Sequence, residues 1–312
     1  MDNIIFSANV VLPLLVMMTA GYITRRFNII DDNTTSQCNS LAFKVFLPIL
    51  LFNNTRNCTI ETLTNFSVFI YVIVVIVLLF VIVTIFVIIN EKDNKKRGVM
   101  IQGICRSNYA LFGIPLITLL LPEADLSLAS IFIAIVIPLF NIFSVTVLTI
   151  FGTGKTDVKS VLLGIVKNPL IIATALGISV MFIDIEFPFV IENSLTQLGD
   201  IASPFALFML GARFDFKQIS RIKKQLTIAC LGRLIIVPAV VLSIAVMLGF
   251  RSVELACMMV IFGSPTAASS YTMAEKMGGD GDLASSIVVF TSVFSIITVF
   301  ATIYILRMFG LF

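Results

Sequence analysis

Apolar residues run through this chain in long blocks rather than in the alternation of a half-buried strand. The blocks cover 4–24, 37–53, 66–90, 98–121, 127–151, 160–182, 190–211, 223–249, 253–274 and 283–308. Each approaches or exceeds the roughly 20 residues that carry a helix across hydrocarbon. The pattern therefore predicts an all-α polytopic membrane protein with ten transmembrane helices. Polar residues, Pro or Gly interrupt the second, seventh and ninth blocks. The first block has no basic leader and no small-residue cleavage site, so it is expected to be a retained helix rather than a signal peptide.

The short polar stretches between blocks differ in charge. Alternate stretches hold Arg25 and Arg26, Lys92 to Arg97, Lys155 and Lys159, Arg213 to Lys224, and Lys276, which makes fourteen basic residues. The opposite set holds only Arg56, Arg251 and Arg307, beside Glu123, Asp125, Asp184, Glu186 and Glu192. Basic loops stay in the cytoplasm. The expected placement is the cytoplasmic membrane, multi-pass, with the N- and C-termini outside. An even helix count fits this alternation, which one missed helix would scramble.

Composition narrows the chemistry. The 312 residues are 58% hydrophobic and 12% charged, with no His and no Trp. Ten spans leave no room for a soluble domain. The lack of His removes Ser-His, Cys-His and His-metal sites together. The five scattered cysteines form no CxxC pair and are expected to be apolar filler. No G-x-x-x-x-G-K-[ST] loop is present for nucleotide binding. No cofactor, metal or nucleic-acid partner is expected, and the chain does not read as an enzyme.

The chain also repeats. Pro13 and Gly21 recur as Pro169 and Gly177, and Pro48, Leu51 and Phe52 recur as Pro204, Leu207 and Phe208, all at an offset of 156. Ala129-Ser130-Ile131 and Ser285-Ser286-Ile287 continue at 156, and Gly113-Ile114-Pro115 matches Gly263-Ser264-Pro265 at 150. The expected organisation is a first five-helix repeat at 1–151, a short cytoplasmic linker at 152–159, and a second repeat at 160–312. Five is odd, so the second half enters from the opposite side. Such inverted repeats build secondary transporters.

Paired broken segments at matching places in the two halves point to a transport site. Spans four and nine fit. Proline removes a backbone donor and clashes with the preceding turn, and nearby glycine lets the chain unwind. Unwound backbone is tolerated at membrane depth only where it lines a cavity or binds a ligand. Half-helix N-termini then offer bare N–H groups to an anion. The candidate substrate-binding residues are Arg106, Asn108, Gly113, Ile114, Pro115, Gly263, Ser264, Pro265, Thr266 and Ser269, with Ser270 beside them. A simple proline kink is the alternative.

Ionisable residues inside spans are functional candidates. Here they are Lys44, Arg106, Asp200 and Arg233. Arg106 either draws an anion towards the break or snorkels to the headgroups. Lys44 and Asp200 hold equivalent repeat positions, four residues before Pro48 and Pro204. They are candidates for a buried ion pair, or Asp200 for a proton-coupling carboxyl. Arg233 is a third candidate of this kind, with snorkelling again the alternative. Gly279-Asp280-Gly281-Asp282 matches the GxGD signature of intramembrane aspartyl proteases. Such a protease needs a second facing aspartate, so a turn before span ten is the better reading.

Several stretches together resemble the auxin efflux carrier family, which includes bacterial malate- and malonate-type permeases and plant auxin carriers. They are Asn39 to Phe52, Arg106 to Asn108 with Gly113 to Leu116, Lys167 to Leu170, Pro204 to Gly211, and Ser264 to Thr266 through Ala274 and Gly278 to Asp280. The resemblance runs over the whole chain and keeps order. It implies two inverted five-helix halves, similar to bile-acid and NhaA-type sodium transporters, with proline crossovers in helices four and nine. It implies a scaffold from helices one, two, six and seven and a moving bundle from the rest. It also implies carboxylate substrates, and it makes a homodimer plausible.

The function expected on these grounds is a secondary transporter of an organic anion, such as malate, malonate or an auxin-like acid, by alternating access at the crossover. The alternative is a sodium- or proton-coupled carrier of another solute, such as a bile-acid-like molecule.

Overall fold

The computed structural model describes residues 2–56, 66–109, 116–117, 120–121, 127–152, 163, 166–183, 185, 187–214 and 219–311. Among these residues the only non-helical pairing is a single β-bridge, and the rest of the regular structure is helical. The helices are α1 Asp2–Arg26, α2 Asp32–Leu41, α3 Leu47–Arg56, α4 Phe66–Asn90, α5 Asn94–Cys105, α6 Ser127–Gly152 and α7 Pro169–Ile183. They continue with α8 Phe189–Arg213, α9 Ile219–Leu231, α10 Val237–Met247, α11 Ser252–Gly263, α12 Ser269–Lys276 and α13 Gly281–Met308. Six segments among the described residues are long and apolar enough to cross a membrane: 32–56, 66–90, 135–152, 189–213, 221–247 and 281–308.

Most boundaries fall within a few residues of the apolar blocks. Three blocks depart from them, the sixth because its helix α7 begins at Pro169 rather than near 160. The fourth runs as a regular helix only to Cys105, and the ninth only to Gly263, with α12 resuming at Ser269. The linker expected at 152–159 lies almost wholly outside the described residues.

Two long segments contain a π-helical turn. Ala42–Phe46 joins α2 to α3, and Gly232–Ile236 joins α9 to α10. The Leu47 and Val237 amides reach back five residues, to the Ala42 and Gly232 carbonyls. Pro48 and Pro238 follow directly. A proline ring clashes with the carbonyl four residues back, and a widened turn relieves that clash while keeping the helix continuous. Lys44 and Arg233 each sit inside one of these turns.

Aspartates start the helices that leave the basic loops. Asp31 accepts from the Thr34 amide at 2.7 Å, Asp93 from Lys95 at 3.0 Å, and Asp280 from Leu283 at 2.9 Å. Each satisfies a donor that the first turn leaves open. The GxGD stretch is thus the entry of α13, with Gly278 in the left-handed region at φ 82°.

The helices pack in two groups. One contains α1, α3, α7 and α8, and the other α4, α5, α6 and α9 to α13, with α13 also lying along α1. Glycines set the close approaches of the first group, with Gly211 of α8 against the Met18 carbonyl of α1 among them. Gly21 of α1 lies against the Phe208 carbonyl of α8, and Gly177 of α7 against the Phe52 carbonyl of α3. Gly21 and Gly177 are 156 residues apart, and so are Phe52 and Phe208. A shift of 156 in each residue number, forward for one and back for the other, therefore turns one contact into the other.

Candidate functional site

α5 and α11 both stop after twelve residues and leave in extended conformation. Arg106 has φ −88° and ψ 119°, and Ser264 has φ −67° and ψ 155°. The two extended strands cross as an antiparallel bridge between Ser107 and Thr266, and the Asn108 amide donates to the Pro265 carbonyl at 2.8 Å. Thr266 locks the crossing. Its hydroxyl donates to the Gly103 carbonyl at 2.7 Å, and its amide to the Thr291 hydroxyl at 3.2 Å.

The break exposes carbonyls at both half-helix C-termini, where the negative end of each dipole lies. One side chain serves both. Arg233, fully buried, donates to Ile104 at 3.3 Å, Cys105 at 3.2 Å, Ile261 at 3.0 Å and Ser264 at 2.8 Å. A planar guanidinium can spread its donors over four acceptors, which a lysine ammonium cannot do with fixed geometry. The π turn carries Arg233 to this place.

Arg106 is also buried, and it donates to the Ser269 hydroxyl at 2.9 Å and to the Met273 sulfur. Among the described residues no carboxylate forms an ion pair with Arg106 or Arg233. Two cations thus lie beside unwound backbone.

A cavity of about 50 Å³ opens against the crossing. Arg106, Ser107, Asn108 and Ser269 line one wall, and Asn54 and Ser203 belong to the other. The far wall includes Leu47 with Ser203 and Leu50 with Ala206, each pair 156 residues apart in the chain. A larger open groove of about 770 Å³ runs between α10 and α13. It is apolar apart from Ser243, Thr298 and Thr302, and it has the character of a lipid-facing surface.

The candidate residues thus fall into three sets. Arg106, Asn108, Gly263, Ser264, Pro265, Thr266 and Ser269 come together at the crossing. Gly113, Ile114 and Pro115 lie outside the described residues. Lys44 and Asp200 are exposed on the outer surface, and no ion pair between them is present among the described residues. Sequence reasoning passed over Asn54 and Ser203. The spacing of Leu47, Leu50, Leu51 and Asn54 is that of one helix face, and it could have marked Asn54. Asn141 and Ser144 of α6 were passed over as well. Both are fully buried, and among the described residues neither side chain finds a hydrogen-bond partner.

The seam between the two helix groups is tied at its basic end. Arg213 approaches Asp282 at 3.5 Å, and Lys276 donates to the Ser36 carbonyl at 2.8 Å and hydroxyl at 3.1 Å. Asn39, buried, donates to Glu275. At the opposite end Arg56 holds Glu192 with two hydrogen bonds of 2.8 and 2.7 Å, but both residues belong to the α3–α8 side of the seam.

A family of sequences described as membrane transport protein matches residues 6–304. The chain belongs to this family. That membership agrees with the resemblance to auxin efflux carriers drawn from the motifs. Two relatives cover nearly its whole length. A "Putative malonate transporter" of Rhizobium meliloti (strain 1021) is 23% identical over 309 residues, 95% of each chain. An uncharacterized transporter of Methanocaldococcus jannaschii is 23% identical over 301 residues, 93% of this chain and 96% of the relative. The chain is thus a membrane transport protein by family, which points to a transport role rather than catalysis.

Proposed function

We propose that this protein is a secondary transporter that moves a small organic anion across the cytoplasmic membrane by alternating access at the crossing of α5 and α11. The carrying observation is the crossing itself: unwound backbone with Asn108 and Ser269 facing a cavity, and two buried arginines that form no ion pair with a carboxylate among the described residues. A carboxylate is the natural counter-charge for such a site. Malonate and malate are the first candidates, since a relative's name mentions malonate.

In this reading the chain is two inverted five-helix repeats, 1–151 and 160–312, with both termini outside. The exchanged Gly21–Phe208 and Gly177–Phe52 contacts support it. The α1–α3–α7–α8 group is the scaffold, and the crossing belongs to the moving bundle. The ties at the basic end close the cytoplasmic side, so this conformation offers its site to the outside. Export of an anion runs with an inside-negative potential, worth about 2.3 kcal/mol per charge per 100 mV, whereas uptake needs a coupling proton or sodium ion.

Proteoliposomes loaded with labelled malonate, malate, lactate or an indole carboxylate, under an imposed potential and a separate pH gradient, test this directly. Movement of a carboxylate by the native protein, with loss of at least tenfold in Asn108→Ala and Arg106→Gln, is expected. Folded, inserted protein that moves no carboxylate under any gradient would overturn the substrate class.

A further inference from the structure

Most carboxylates at the basic end are matched by backbone amides or by cations. Asp31, Asp93 and Asp280 cap helices, and Asp32 and Asp282 approach Arg25 and Arg213. Glu275 of α12 is different. It forms no ion pair among the described residues. It accepts instead from the neutral side-chain amide of Asn39 on α2. Asn39 is fully buried, and among the described residues its Oδ1 finds no hydrogen-bond partner. Glu275 is half-buried, one residue before the end of α12, and is open to water on the basic side. Its stem and the ring of buried Tyr271, one turn earlier, both border Gly281 at the start of α13. The other charged groups at this end of the elements packed against α12 are Arg213 of α8, Asp282 of α13, Asp32 of α2, and Lys95, Lys96 and Arg97 of α5. α6 carries none, and Lys44 of the π turn is exposed on the outer surface. Arg213 turns to Asp282 and Asp32, at 3.5 and 4.0 Å, and Lys276 turns to Ser36.

The chemistry of the pair is one-sided as it stands. A carboxylate only accepts, so it matches the Asn39 N–H and leaves Asn39 Oδ1 bare. A protonated carboxyl adds the O–H donor that Oδ1 lacks. Acid and amide then close a ring of two hydrogen bonds, N–H to C=O one way and O–H to C=O the other. A buried acceptor left unmatched is costly, so the contact favours the protonated form. Asn39 stands on the 32–56 segment, which leads into α3, whereas Glu275 belongs to the other helix group, so the contact crosses the seam. We propose that Glu275 is a proton-binding site that latches the basic end. A proton taken from water on that side completes the Asn39–Glu275 pair and holds the two groups together, and its return to the same water releases them. This inference rests on the alternating-access reading, in which the state closed at the basic end is the one that brings the two residues together. A contact that binds a proton is in turn favoured by protons. Acid on the basic side therefore favours closure and slows delivery of substrate to the crossing from that side. For one proton the ratio of closed to open changes by at most about tenfold per pH unit.

Spin labels on Asn33→Cys of α2 and Asn94→Cys of α5, both exposed and on opposite sides of the seam, read the balance as a distance distribution. The chain is otherwise native apart from replacement of its own cysteines, and it is held in lipid nanodiscs. With Glu275 and Asn39 intact, the open-to-closed ratio is expected to rise at least about threefold between about pH 5 and pH 8. Glu275→Gln puts an amide where the protonated acid stands, and is expected to stay closed at every pH. Asn39→Leu removes the partner, and is expected to favour the open distance at every pH. Glu275→Ala makes the same prediction if Asn39→Leu fails to insert. A ratio that does not move with pH when both residues are intact, a pH response that persists in Glu275→Gln, or an undiminished response in Asn39→Leu or Glu275→Ala would each overturn the latch. The readout needs no substrate, so it separates the two readings. A working latch in a protein that moves no carboxylate supports the site and overturns the substrate class alone. Carboxylate transport with a pH-independent balance overturns the latch alone.

Discussion

In the proposed two-repeat reading, α4 and the α9–α10 segment occupy the third place in each half, yet they do different work. α4 is 25 residues long, uninterrupted, and without a charged side chain. Its counterpart carries a π turn and a buried arginine. At the repeat offset, Val77 stands where the second half has Arg233. The backbone crossing of α5 and α11 is close to symmetric, but the charge that satisfies it comes from one half only. Architecture can be duplicated, whereas the electrostatics of a single crossing point need only one donor fork.

The strongest way to break this asymmetry is Arg233→Met. It strands the Ile104, Cys105, Ile261 and Ser264 carbonyls in an interior where an unpaired polar group costs about 1–3 kcal/mol. Relief of the buried charge offsets part of this. A loss near 4 kcal/mol is expected, read as a large fall in the thermal midpoint in detergent. Arg233→Lys is expected to recover less than half of it, because one ammonium cannot reach both half-helices.

The glycine contacts sharpen the comparison from the symmetric side. A methyl group on Gly21 would overlap the Phe208 carbonyl, whereas one on Gly177 would lie 2.8 Å from the Phe52 carbonyl and 2.9 Å from the Thr55 Cβ. Overpacking of this kind costs about 1–3 kcal/mol. Both alanine variants should be destabilised, Gly21→Ala the more. Equal midpoints would show that the two approaches are equivalent.

A smaller effect is expected from the ties at the basic end. Arg213 and Asp282 are both partly exposed, so Asp282→Ala should cost no more than about 1 kcal/mol in stability. In the proposed alternating-access reading the tie belongs to the state with the basic end closed, so the variant should nonetheless shift the balance of conformations a few-fold. Labelling of Ser203→Cys by a membrane-impermeant thiol reagent from the basic side measures this, and an unchanged rate would refute the closing role.

The smallest effect links the two compared segments directly. Glu91, just past α4, accepts from the Lys92 and Asp93 amides at 2.8 and 2.9 Å and from Gln225 of α9 at 2.6 Å. Partial burial pushes its carboxyl up, but these hydrogen bonds and the charge of Lys96 outweigh that and hold its pKa below the ordinary value. Its contribution is therefore present above the ordinary carboxylate range and fades as pH falls through the depressed pKa. Glu91→Gln should lose a few tenths of a kcal/mol at neutral pH and flatten the acid side of a stability–pH curve.

Much of this site was legible because broken helices leave a mark in apolar sequence. Gly263-Ser264-Pro265, and polar residues inside spans four and nine, signal backbone that cannot continue as helix. The role of Arg233 was not legible. Its partners are main-chain carbonyls up to 129 residues away, and every residue type supplies the same carbonyl. The π turns escaped for a related reason. The proline that causes each one is visible, but whether a helix kinks, stops or widens depends on what packs around it. Lys44 and Asp200 show a third limit. Their matching positions suggested a pair, but one widened turn rotates the face beyond it, so spacing alone could not give the direction of the side chains.

In the proposed two-repeat reading, the reach of Arg233 into the other half has an evolutionary corollary. Two identical five-helix units, placed head to tail as separate chains, would bring two such arginines to one crossing, where like charges would compete for the same four carbonyls. A single arginine becomes workable only after the units share one gene and diverge. Once acquired, it binds their fates together: the first unit expressed alone leaves Ile104 and Cys105 bare, and the second alone presents a guanidinium with half its acceptors missing. Neither half could then be restored to independence by changing its own residues at the surface alone.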